Sequence, residues 1–167
     1  MGLSVSKRRA AREMAVQMLY QRDLGQSDLA QIFNNFDPNY LDTEVEEQQE
    51  APARPLQRSE RRRRQLSEAF GHGRDLVRGT LDHLTEIDRL IREQADNWRL
   101  ERMPAVDRNV LRLAIYEMLF EVETPKLVVV DEAIELAKKF GSEQSARFVN
   151  GLLDGLLKSE RLARQVT

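Results

Sequence analysis

No cysteine occurs anywhere in the 167 residues, so disulfide staples, thiolate metal sites and cysteine nucleophiles are all excluded. Tryptophan occurs once, and glycine (8) and proline (5) are scarce, which leaves few breaks in the chain and favours helices over sheet. Long hydrophobic runs are missing too. Arg, Glu or Lys interrupts each one well before the ~18 residues of a membrane span, so no membrane association is expected. Glu13 and Gln17 break what would be the apolar centre of a signal peptide, and the expectation is a soluble, unprocessed, cytoplasmic protein. There is no P-loop, no G-x-G-x-x-G and no nucleophile elbow. His72 and His83 stand alone, without ligand spacing. Enzyme, metal and cofactor are therefore not expected.

What is present is charge. Charged residues make up 32% of the chain and hydrophobic ones 41%, yet the net charge is only −2. The total hides strongly signed blocks. Residues 1–12 hold Lys7, Arg8, Arg9 and Arg12 with no acid, and residues 37–50 hold six acids with no base. Residues 51–74 hold seven arginines against Glu60 and Glu68, a net of +5.

Apolar periodicity organises the rest into an all-α, single-domain bundle of about seven helices over residues 1–167. Helix one is expected over 6–22, ending at Gly25, with Ala11, Met14, Ala15, Met18 and Leu19 inward. A short second helix, from residue 27 or 28 to about 36, is expected to bury Leu29, Ile32, Phe33 and Phe36. Residues 37–59 lack periodicity and read as a flexible insertion. Helices three and four are expected over about 59–79 and 81–93. Three more follow between Ala105 and Leu157, with Thr124-Pro125 opening one, Gly141 closing it and Ser142 capping the last. In the last helix Phe148, Leu152 and Leu156 are expected along one side, with Phe148 favoured as core. Gly151 is expected to permit close helix packing, and Asn150 to satisfy a buried backbone group. Short joints between these helices place them as antiparallel or steeply angled neighbours.

The N-terminal cluster is the main candidate site. Arg8, Arg9 and Arg12 fall in one helical arc beside Val16 and Tyr20, with no acid before Glu13. A solvated basic tip is the bland reading. Helix-start amides and unpaired cations favour a phosphate instead. Four cations on a single strand imply a log–log salt slope of about −3, so a partner or stacked bases would be needed for specificity. Tyr20 reads first as an amphipathic edge. Asp131 and Glu135 are a possible cation pair, but Lys138 and Lys139 make a salt-bridged face the better reading. Arg61–Arg64 span all sides of a helix; they either neutralise the acidic block or extend a basic surface, the first being slightly favoured.

The segments RRAAREMAVQMLYQRD, NWRLERMPAVDRNVLRLAIYEM, VVVDEAIELAKKFG and SARFVNGLLD together resemble the NusB family of bacterial transcription antitermination factors. The resemblance covers residues 7–36 and about 65–157. It implies N-terminal and C-terminal helical subbundles and a binding function. The expected ligand is boxA-type single-stranded RNA, bound with the ribosomal protein NusE. The complex is expected to act on RNA polymerase with other Nus factors, notably in rRNA operons. Carried onto this chain, the RNA-binding residues are Lys7, Arg8, Arg9, Arg12, Gln17, Tyr20, Gln144, Arg147 and Phe148. Glu101, Asp107, Arg108 and Arg112 become the partner surface. Two departures stand out: Ala10 replaces an arginine common in the family, and Gln144 replaces an acid. Two alternatives remain open, a helical domain related to the N-terminal part of rRNA cytosine methyltransferases and a structural homodimer that buries its basic tips.

Overall fold

The computed structural model describes residues 3–25, 27–42, 45, 54–96 and 98–162. All regular structure among them is helical: α1 (Val5–Leu24), α2 (Leu29–Asn35), α3 (Pro55–Asp82), α4 (Leu84–Gln94), α5 (Ala105–Phe120), α6 (Lys126–Phe140) and α7 (Glu143–Lys158). Two 3₁₀ turns, Pro38–Tyr40 and Leu100–Arg102, complete it. The chain divides into two compact units, 1–75 and 76–167, and the division falls inside α3.

In the first unit, α1 starts where the Ser4 hydroxyl accepts the Lys7 backbone N–H, and ends at Gly25. Its buried residues run without a gap from Ala10 to Val16 and then take in Met18 and Leu19. The helix is thus wrapped on nearly all sides rather than along a single stripe. Gly73 of α3 explains part of this, because a Cβ there would stand 3.1 Å from the Ala11 carbonyl oxygen. The two backbones can approach only because that position has no side chain.

Asp28 caps α2 in a reciprocal box with Gln31. Of the four expected core residues in this segment only Ile32 is buried. Phe36 instead stacks on Phe70, centroids 5.6 Å apart, with the Arg74 guanidinium over the Phe70 ring. Part of the expected flexible insertion has defined structure. Leu41 is buried and its carbonyl accepts from Arg62 at 2.6 Å, and α3 begins at Pro55 rather than near residue 59. Proline suits a first helical turn because its missing N–H has no intrahelical use there. Residues 43–44 and 46–53, with most of the acidic block, lie outside the described residues.

In the second unit, α5, α6 and α7 pack against one another and α4 packs on α5 and α7. Ile87, Leu90 and Ile91 of α4, Val110, Leu111, Leu113 and Ile115 of α5, and Val149, Leu153 and Leu156 of α7 are fully enclosed. The break between α3 and α4 falls at His83, whose ring stacks on Phe120 at 4.0 Å. At the start of α6 the cap position is Pro125 itself, so Thr124 does not cap. Ser142 caps α7 with Ser145 as its reciprocal partner.

The glycines of α7 reverse an expectation. Gly151 is exposed, with nothing within 4 Å of where a Cβ would stand, and Asn150 is exposed beside it. The close approach lies one turn later, at Gly155, where a Cβ would meet the Gln94 amide nitrogen at 2.5 Å. Gly79 does the same for α5, its missing Cβ leaving room for the Tyr116 ring.

Candidate nucleic-acid interface

The first turn of α1 carries no acid. Its free amides and the positive end of the helix dipole therefore add to the cations around it. Those cations are not equivalent. Lys7 Nζ donates to Glu68 at 2.5 Å, which leaves less of its charge for a ligand. Arg8 is half-buried and its guanidinium has no partner among the described residues. Arg9 is exposed and also engaged within the chain. Arg12 is only 4% exposed, next to Glu13 at 5%, and is engaged as well. Arg12 therefore drops out of the expected open arc. The cause is the wrapping of α1, which leaves no outward face at position 12. Gln17 is half-buried and Tyr20 is 38% exposed at the rim of the buried stretch.

At the start of α7, Gln144 and Arg147 are exposed, and Arg147 has no side-chain partner among the described residues. Ser145 is buried, its Oγ accepting the Ser142 N–H at 3.0 Å. Phe148 is half-buried rather than core and meets Trp98 edge to face, centroids 6.1 Å apart. Trp98, Phe148 and Arg147 line a cleft of about 380 Å³ that includes Asp96 and Gly151. Sequence reasoning missed Trp98 as a candidate. Its signal was being the one aromatic beside a polar turn rather than on a helical stripe.

The expected partner surface separates into exposed and enclosed residues. Glu101 is exposed and pairs with Arg92 at 3.4 Å. Its own backbone amide first, and Arg92 second, hold its carboxyl below the usual glutamate value. Arg108 donates to the Leu100 and Met103 carbonyls at 3.0 and 3.3 Å, tying the 3₁₀ turn to α5. Arg112 is buried, its Nε and Nη2 donating to both carboxylate oxygens of Asp88 at 2.8 and 3.0 Å. It holds α4 to α5 and presents no open docking group. Asp107 is 4% exposed, and its Oδ1 is enclosed without a hydrogen bond.

A model of the NusB family matches residues 9–158. The chain belongs to the NusB family. Among its NusB relatives, the transcription antitermination protein NusB of Elusimicrobium minutum is 40% identical over 159 residues, 94% of this chain and 97% of that protein. The solved NusB of T. maritima is 37% identical with a TM-score of 0.65, covering 91% of each chain. A structure of NusB and NusE in complex with double-stranded RNA has the same fold, with a TM-score of 0.69 over 93% of this chain and 98% of that one, at 24% identity. The NusB match begins at Arg9, so Lys7 and Arg8 stand just before it.

No group of three or more His, Asp or Glu able to hold a metal occurs among the described residues of this NusB-family chain. Lys138 Nζ sits 3.3 Å from Glu135, a salt-bridged face. No helix is long and apolar enough among those residues to cross a membrane. Of the four consecutive arginines, Arg61 and Arg62 are half-buried while Arg63 and Arg64 are exposed.

Proposed function

We propose that this chain is an RNA-binding transcription antitermination factor. It recognises boxA-type single-stranded RNA together with NusE, then acts with other Nus factors on elongating RNA polymerase, notably in rRNA operons. The observation that carries the reading is the acid-free first turn of α1, with Arg8 and Arg9 at the positive end of the helix dipole, in a chain of this family. Such a turn attracts phosphate without reading sequence, so specificity falls to NusE and to contacts with unstacked bases. Glu101 supplies the exposed charge of the NusE side in this reading, with Arg108 fixing the turn beside it; Asp107, like Arg112, is enclosed and drops out of the expected surface.

Anisotropy of labelled boxA RNA, titrated at several salt concentrations with and without NusE, tests it. NusE is expected to tighten binding, and a scrambled RNA is expected to bind more weakly. Equal affinity for both RNAs, unchanged by NusE, would contradict the proposal.

A further inference from the structure

The cleft beside α7 has features that packing does not explain. Trp98 is 58% exposed, a large apolar surface left in water at a turn whose backbone is fixed by the Trp98 N–H donating to Ala95. Phe148 meets its ring edge to face, and the indole remains more than half exposed. Gly151 opens the floor: it sits inside α7, where glycine weakens a helix, yet no atom occupies the space a side chain would take. Arg147, an exposed cation, stands on one side and the Asp96 carboxylate on another.

From this geometry we infer that the cleft lined by Trp98, Phe148 and Gly151 takes one unstacked base of a single-stranded RNA. The inference deepens the proposed function and rests on it. An exposed aromatic face stacks on any base, whereas the charges orient the nucleotide. Arg147 draws the phosphate to its side. Asp96 repels phosphate and accepts hydrogen bonds from an amino-bearing base edge. The cleft volume of about 380 Å³ lies in the ~300–1,000 Å³ range of sites for small ligands. The open floor at Gly151 is what lets a flat ring slide in beside the indole.

Because Trp98 is the only tryptophan, the chain labelled with 5-fluorotryptophan gives a single fluorine resonance for the site. That resonance is followed during titration with boxA RNA in the presence of unlabelled NusE, with anisotropy of labelled RNA recorded in parallel. RNA is expected to shift the resonance. Gly151→Ala is expected to act in opposite directions on two readouts. Its methyl group raises Tm by roughly 2–4 °C through helix propensity, and it narrows the floor and weakens RNA binding about tenfold. Trp98→Phe should retain most affinity, and Trp98→Ala should lose about tenfold. RNA that binds in the anisotropy assay while the resonance stays still and Gly151→Ala binds like the parent overturns the cleft and leaves the proposed function standing. A resonance that moves fully with NusE alone assigns the cleft to a protein contact and overturns it too. No RNA binding by any readout overturns both.

Discussion

Replacing Arg112 with methionine removes one half of an ion pair whose side chains are only 10% and 11% exposed. The guanidinium gives both carboxylate oxygens of Asp88 a donor and a third bond, at 3.2 Å, to Asn109 Oδ1. Methionine keeps much of the volume and none of these donors. Asp88 would then be an enclosed charge without its counter-ion. Breaking a buried pair in this way costs about 3–5 kcal/mol, a large part of the ~5–15 kcal/mol that holds a typical domain together. For a chain of this size the midpoint should fall by roughly 2–4 °C per kcal/mol, or about 6–20 °C. Asp88→Leu combined with Arg112→Met should recover most of the loss, because two apolar side chains carry no desolvation cost. Urea unfolding followed by circular dichroism measures all four proteins of the cycle. The reasoning is refuted if Arg112→Met costs under ~1 kcal/mol, as exposed pairs do, or if the double variant is as weak as the sum of the singles.

Gly79→Ala should destabilise by about 1–3 kcal/mol through overlap with the Tyr116 ring, whereas Gly155→Ala meets only the end of Gln94 and should cost far less; thermal melts of the two variants rank them. Ser4→Ala removes the cap of α1 and should cost about 1 kcal/mol, with faster amide exchange in the first turn as the local readout. Glu101 should titrate below ordinary glutamate by NMR and move upward in Arg92→Gln. A lowered folded pKa means that its contribution to stability is full above the unfolded value and disappears as pH falls through the folded one. An upward shift of native Glu101 would contradict the pairing.

The helices were legible because their apolar residues recur at helical spacing: in α4, Leu84, Ile87, Leu90 and Ile91 share that spacing, and the last three are fully enclosed while Leu84 is half-buried. Arg12 was misjudged for the same reason, since periodicity marks the greasy side of a helix and cannot say whether the polar side is also covered. Gly151 and Gly155 lie four residues apart in one helix, and only three-dimensional neighbours distinguish the open one from the packed one. The charge-rich Arg112 read as surface because nothing local in sequence announces its partner 24 residues away. Family resemblance pointed to candidate regions; it could not rank Lys7, Arg8, Arg9 and Arg12 by exposure, which depends on Glu68 and on the burial of α1.

The central claim is that an acid-free helix start bearing Arg8 and Arg9 attracts the RNA strand. The slope of log affinity against log salt for boxA RNA, with NusE present, tests it most directly in the parent chain and in Arg8→Ala/Arg9→Ala. Each phosphate contact on a single strand contributes about −0.7, so the double variant should be shallower by roughly 1.4 and weaker at low salt, with its circular dichroism unchanged. Identical slopes in the two proteins would contradict the account.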